Sequence, residues 1–236
     1  MMFCFSPELT MTLPTRRILI TAGPTHEPID AVRYLGNRSS GRTGIALADE
    51  AAHRNWMVRL LLGQTPGTPS DSRVKVDRFR TTADLEELLH IHFARCQVLV
   101  MAAAVADFRP SVSVDQLTRK MSRLDGPISL DLVPTPDLLH ACARRRASGQ
   151  LLVGFALESA SDLEASAQDK LVRKDVDLMV ANPLETMDAQ TIEATVYERT
   201  ADGPRVAART DGPIPKTVFA RWFMDLIERT HLNEAD

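Results

Sequence analysis

Three short stretches hold residues suited to acting on a charged small molecule. The first is Asn37-Arg38-Ser39-Ser40-Gly41-Arg42-Thr43-Gly44. It links an apolar run to a helical pattern, so it opens a helix whose free N–H groups and dipole favour an anion. Gly41 and Gly44 let a phosphate approach the backbone and let the helix pack closely on a sheet. The spacing matches the second half of GxGxxG, but the loop before these glycines is far longer than a tight dinucleotide turn. A serine-capped helix is the competing account. The second stretch is Met101-Ala102-Ala103-Ala104-Val105-Ala106-Asp107. A strand ending in alanines leaves its backbone open at the carboxyl edge of a sheet, where ligands bind in open α/β folds. Asp107 can accept hydrogen bonds there. The third is Lys170 and Lys174, four apart and so on one helix face. Alone, such a pair is usually a solvated basic face.

The six histidines show no metal-ligand spacing, and His90 and His92 cannot share a helix face. No GxSxG supports serine hydrolysis. Cys4, Cys96 and Cys142 form no CxxC, so neither a protein-ligated metal nor a disulfide framework is expected, and a reducing cytoplasm suits the chain.

These stretches need a scaffold that holds them together. Arg16–Ala22 is a short apolar run fit for a buried strand, and residues 41–54 carry a helical pattern with Ile45, Leu47, Ala48, Ala51 and Ala52 inward. Strands are expected at Trp56–Leu62, Arg73–Phe79, Gln97–Ala104, Leu151–Glu158 and Asp177–Ala181. A helix capped by Thr81 or Thr82 runs to about Ala94, with acidic residues in its first turns as the dipole favours. A second starts with Pro136 at its first position, and Ser161 caps a third. Ile128–Val133 alternates and suits a half-buried strand. Residues 105–126 have no clean period and form a long flap. Thr191–Thr200 and Arg205–Arg209 flank Ala-Asp-Gly-Pro and predict a C-terminal β-hairpin, followed by an amphipathic helix over about Lys216–His231. Strands buried on both faces and alternating with helices mean an α/β fold. The expectation is a Rossmann-like, mostly parallel sheet with helices on both faces.

The chain has 236 residues, enough for one large domain at ~150 residues per domain. Residues 16–236 are expected to form it, with 1–15 as a disordered tail. Its 28 basic and 31 acidic residues give a net charge of −3, which argues against a nucleic-acid partner. No apolar run approaches the ~20 residues of a membrane helix.

The order of the motifs adds more. ITAGPTHEPIDAVRYLGNRSSGRTG, MAAAVADFRP, KMSR, LDLVPTPDLL, VGFALES and DKLVRKDVDLMVAN follow one another from about Arg16 onward. Together they resemble the phosphopantothenate–cysteine ligase family. The resemblance implies joining of 4′-phosphopantothenate to L-cysteine in coenzyme A synthesis, through an acyl nucleotide made with CTP, or with ATP as in eukaryotic members, and Mg²⁺. It also implies a homodimer. Only 15 residues precede Arg16, too few for the flavin-dependent decarboxylase often fused in front, so a stand-alone ligase is expected.

Carried over motif by motif, the resemblance assigns the phosphate turn to Ser39, Gly41 and Gly44, with Gly23 beside it. The backbone of Met101, Ala102 and Ala103 reads the base. Asp107, Val133, Pro134, Thr135, Pro136, Phe155, Lys170 and Lys174 contact the nucleotide. Asn37 holds the acyl intermediate, and Arg33, Ala104 and Asp107 meet the phosphopantothenate side. Counting forward from Asp107 puts the flap lysine at Leu117; counting back from Thr135 puts it at Lys120, which keeps the Lys-Met-Ser-Arg pattern and is preferred. Pro134 stands where a basic residue is expected.

Two other classes compete. A short-chain NAD(P) oxidoreductase needs Tyr-x-x-x-Lys, whereas Tyr34 and Tyr197 are followed four residues on by Arg38 and Ala201. A non-catalytic nucleotide-binding module would not need Asn37, Asp107 and Lys120.

Overall fold

The computed structural model describes residues 16–123 and 126–229. The tail expected over 1–15 and the helix end expected at His231 lie outside them. In chain order the elements are β1 (Arg17–Ala22), β2 (His26–Pro28), β3 (Tyr34–Gly36), α1 (Arg42–His53), β4 (Met57–Leu62), β5 (Lys75–Arg78), α2 (Thr82–His92), β6 (Val98–Met101), β7 (Phe108–Pro110), α3 (Val114–Leu117), β8 (Leu132–Pro134), α4 (Leu138–Ala143), β9 (Leu151–Glu158), α5 (Leu163–Arg173), β10 (Leu178–Pro183), β11 (Thr191–Ile192), β12 (Thr195–Thr200), β13 (Gly203–Arg209), β14 (Ile214–Pro215) and α6 (Lys216–Ile227).

The central sheet runs β13-β12-β10-β9-β6-β1-β4-β5. Every pair from β10 to β5 is parallel, whereas β12 and β13 are antiparallel additions. Counting only the parallel strands in sequence order, the sheet reads 3-2-1-4-5-6. That order reverses direction between β1 and β6, the switch point where open α/β sheets bind ligands. This is the expected Rossmann-like sheet with its C-terminal hairpin.

Strand alternation divides the core into two layers. Ile18, Ile20 and Ala22 of β1 face the layer built with α1 and α6, while Leu19 faces the layer of α2, α4 and α5. In α1 the buried residues Gly44, Leu47, Ala48, Ala51 and Ala52 recur at the spacing of one helical face. Gly44 has no room for a side chain: a Cβ there would sit 2.5 Å from the Ala22 Cβ. The helix axis therefore lies close to β1. Among the described residues, no helix is long and apolar enough to cross a membrane.

Several local expectations are corrected. Neither Ser39 nor Ser40 caps α1; Gly41 does, at φ 70°. Thr65 Oγ1 donates to the Ser40 carbonyl at 2.8 Å, so a distant loop imposes this left-handed turn. Pro136 is not the first helical residue. Asp137 caps α4 by accepting from the His140 N–H, and the helix has only six residues. Ser161 does not cap α5; Asp162 holds that position, and the Ser161 hydroxyl pairs with that of Ser159. The strand predicted for Ile128–Val133 is β8, shifted to Leu132–Pro134 and paired with β7. The run from Thr191 is broken: β11 pairs with β14, and only β12 joins β13. The strand expected to run to Ala104 is β6, which ends at Met101, and Ala104 keeps one isolated parallel bridge to Pro24. The Thr81 cap is present and forms a capping box with Asp84.

Candidate active site

The carboxyl ends of β6, β9 and β10 and the start of α1 line one cleft of about 680 Å³. Its floor is the switch point. Gly23 follows β1 at φ 79°, and its carbonyl accepts from the Ala104 N–H at 2.9 Å. The Gly41 turn lies directly on it, because a Cβ on Gly41 would sit 3.3 Å from the Gly23 N. α1 thus begins against the end of β1, with its N-terminal N–H groups at the cleft.

Beyond Met101 the chain keeps backbone bonds to the β1 side, from the Ala102 N–H to the Thr21 carbonyl and from the Thr25 N–H to the Ala104 carbonyl, both at 3.2 Å, and side-chain oxygens add to them. Thr21 Oγ1 accepts from the Ala103 N–H at 3.1 Å, and Thr25 Oγ1 accepts from the Ala106 N–H at 2.9 Å. The Ala106 carbonyl accepts from the Thr135 hydroxyl at 2.5 Å. The Asn37 side-chain amide donates to the Val105 carbonyl at 3.0 Å, tying the loop before the Gly41 turn to the alanine segment. No described group donates to the carbonyls of Ala102 and Ala103, which remain able to accept from an amine such as that of a cytosine or adenine base.

The side walls carry charge. Lys170 pairs with Glu158, and Lys174 Nζ lies 2.8 Å from Asp137. The Lys170 hydrogen bond holds the Glu158 carboxyl below the usual range. Burial pushes Asp137 up, but the hydrogen bonds from Lys174 and the His140 N–H, together with nearby positive charge, outweigh it, and the net shift is down. Phe155 is partly buried and is braced edge-on against Phe219 and Phe223 of α6, at centroid distances of 6.4 and 6.5 Å. Three described carboxylates line the cleft. Asp137 and Asp188 are in ion pairs, and Asp107 is not.

The cleft therefore gathers Asn37, Ser39, Gly41, Gly44, Met101, Ala102, Ala103, Ala104, Asp107, Thr135, Pro136, Phe155, Lys170 and Lys174. Gly23 lies beneath it. Val133 and Pro134 are exposed in β8 and do not line it. Neither do Arg33 and Lys120. Arg33 is engaged elsewhere: it pairs with Asp30 at 2.6 Å and donates to the Met121 carbonyl at 3.3 Å. Lys120 is exposed on the flap, next to Met121. Tyr34 and Tyr197 are also outside the lining. Tyr34 stacks on His26, and Tyr197 is buried in β12.

Sequence reasoning missed Arg38, Arg42, Asp188 and Lys216, all of which line the cleft. A signal for Lys216 was present. It stands three and four residues before Phe219 and Ala220, on the apolar face of α6, where a lysine is out of place.

The flap has a fixed anchor. Asp30 is buried and accepts from the backbone N–H groups of Val32, Arg33 and Met121. Burial raises its pKa, but these hydrogen bonds and the Arg33 guanidinium bring it down to about 2. A depressed carboxylate stabilises the fold above its unfolded value near ~3.9. That contribution disappears as pH falls through about 2. Flap docking should therefore be insensitive to pH across the neutral range. Asp30→Ala is expected to speed cleavage of residues 111–131 in limited proteolysis, with the sheet domain left intact. An unchanged cleavage rate would show that Asp30 does not hold the flap.

Comparison with known proteins decides the family. The family model described as the DNA/pantothenate metabolism flavoprotein C-terminal domain matches residues 13–228. The chain belongs to this family. It is 42% identical over 183 residues to the coenzyme A biosynthesis bifunctional protein CoaBC of Mycobacterium bovis, covering 74% of this chain and 43% of that protein. It is 37% identical over 210 residues to a protein named cysteine/cysteine sulfinic acid decarboxylase from an unknown prokaryotic organism, covering 87% of this chain and 57% of that one. The chain thus spans about half the length of these relatives. A crystal structure of the C-terminal domain of CoaBC superposes with a TM-score of 0.75 at 31% identity, covering 94% of this chain and 97% of that domain.

Proposed function

We propose that this domain is a ligase that joins 4′-phosphopantothenate to L-cysteine by way of an acyl nucleotide, as a step of coenzyme A synthesis. The observation that carries this reading is the cleft at the switch point. It combines an anion-accepting turn, an open alanine backbone, Asn37 and a carboxylate without an ion pair, in a chain similar to a protein named for coenzyme A biosynthesis. A carboxylate is a poor electrophile, and transfer of a nucleoside monophosphate onto it creates a good leaving group. The chain's own residues bind, orient and neutralise charge for that transfer. The turn at Ser39–Gly41 holds phosphates, Phe155 and the Ala102–Ala103 carbonyls hold the base, and Asn37 donates to the acyl oxygen.

CTP is the proposed co-substrate, with ATP as the alternative; both bases carry an amine for the alanine carbonyls. Mg²⁺ would arrive on the nucleotide and shield its phosphates. The described residues include no group of three or more His, Cys, Asp or Glu able to hold a metal. The described cysteines, Cys96 and Cys142, are free and buried, which suits the cytoplasm.

Product formation should require phosphopantothenate, cysteine and a nucleoside triphosphate together, faster with CTP than with ATP. Absence of phosphopantothenoylcysteine with both nucleotides would overturn the reading. A homodimer belongs to it on the resemblance alone, since β10 already supplies the partner that the hairpin needs. A fully active monomer in sedimentation at micromolar concentration would contradict the dimer.

An NAD(P) oxidoreductase shares the strand order, but the 17 residues between Gly23 and Gly41 are no tight dinucleotide turn.

A further inference from the structure

Lys216 is the first residue of α6 and is only 9% exposed, yet it lines the cleft. Its Nζ has one hydrogen bond, a long 3.4 Å contact to the Thr186 carbonyl. The other two cleft lysines are neutralised by Glu158 and Asp137. Lys216 has no such ion pair among the described residues. The carboxylate that acts on Lys216, Asp188, is occupied: it pairs with Arg38 at 3.0 Å, and its backbone carbonyl accepts from Arg42 at 2.7 Å. Burial and the neighbouring Arg42 both push the Lys216 ammonium down. A buried cation beside a second cation is costly unless an anion joins them.

The surroundings point to where that anion lies. Arg42 immediately follows Gly41, so the cationic cluster continues the phosphate turn of α1. α1 and α6 pack on the same face of the sheet. The cap of α6, Pro215, makes no side-chain hydrogen bond to the helix. Two helix N-termini and two cations thus meet at one end of the cleft.

We propose that Lys216 and Arg42 form a second phosphate position, beyond the Ser39–Gly44 turn, that takes the distal phosphates of the nucleotide. This rests on the ligase reading. In the first half-reaction a carboxylate oxygen forms a bond to the α-phosphorus while the bond from that phosphorus to the bridging oxygen breaks. The electron pair leaves with pyrophosphate, and no proton or redox partner is needed. Lys216 neutralises the charge that builds on this leaving group, a charge-assisted contact made stronger by burial.

The test uses inorganic pyrophosphate as the probe. Calorimetric titration should show binding to the wild-type protein and about tenfold or weaker binding to Lys216→Met, which keeps the side-chain bulk. Lys216→Arg should recover part of the loss. Arg42→Gln, at an exposed position, repeats the test without disturbing buried packing. In turnover the KM for the triphosphate should rise, while CMP binding and the KM for phosphopantothenate should not move. Unchanged pyrophosphate binding in both Lys216→Met and Arg42→Gln would overturn the proposal. So would a rise confined to the phosphopantothenate KM, which would assign the cluster to the other substrate's phosphate. The titration needs no turnover, so failure of the ligase reading alone, a wild-type protein that makes no amide, remains distinguishable.

Discussion

Asn37→Ala is expected to bind nucleotide like the wild type and to form the amide about 10²–10³-fold more slowly. The turn proposed to hold phosphates starts at Ser39 and takes its shape from Gly41, Gly23 and Thr65, none of which depends on the Asn37 side chain. Asn37 is exposed at the cleft, and its amide nitrogen is fixed by one bond to the Val105 carbonyl. On the proposed reading its second N–H serves the substrate. Donation to an acyl oxygen counts most when negative charge develops there, and losing one such donor costs about 3–4 kcal/mol. A purely structural role, tying the loop to the alanine segment, would weaken nucleotide binding as well. Nucleotide affinity and single-turnover amide formation, measured on the same variant, separate the two. Undiminished turnover at saturating substrates would remove Asn37 from the chemistry.

Lys120→Gln is expected to slow formation of the acyl nucleotide by about a hundredfold or more, by loss of a charge that meets the transferring phosphate. Attack of a carboxylate on a phosphate brings two anions together, and a closed site with low dielectric magnifies their repulsion. Lys120 is exposed, but its position in the chain is fixed on both sides. The Arg119 carbonyl accepts from the Ala31 N–H, and Met121 is bound through both its N–H and its carbonyl by Asp30 and Arg33. The flap backbone is thus docked with Lys120 outside the cleft lining, so the expected role requires the flap to move toward the bound nucleotide. Glutamine keeps donors and removes the charge. Leu117 sits in the short helix α3, so Leu117→Lys placed on Lys120→Gln tests the alternative register and should not restore activity. Release of pyrophosphate at the wild-type rate in single turnover would leave Lys120 a solvated charge.

The features that were legible in the sequence are those set by burial. β1, β4, β6, β9 and β10 are apolar runs buried on both faces, and each appears within a few residues of its expected place. The alanines after β6 and the glycines of the α1 turn were legible as small residues that leave backbone open at the cleft. The parts that were not legible depend on contacts far along the chain. Ser39 and Ser40 read as caps, but Thr65 and Gly23 bend the chain so that Gly41 takes that place. β2 with β3, and β7 with β8, pair too few residues for any period to show. The C-terminal end of the cleft, Asp188 and Lys216, meets the start of α1 across more than 140 residues. Only the charge on an apolar helix face hinted at it. Arg33 was assigned to substrate by resemblance, while local geometry gives it Asp30 and the flap.

The most direct measurement leaves out cysteine. Enzyme, phosphopantothenate and CTP are mixed in a single turnover, and the products are followed by phosphorus NMR and mass spectrometry. Ligation through an acyl nucleotide predicts one pyrophosphate and one phosphopantothenoyl cytidylate per active site, then conversion to amide and CMP when cysteine is added. Release of CDP and orthophosphate, or no reaction until cysteine is present with CTP and with ATP alike, would contradict it.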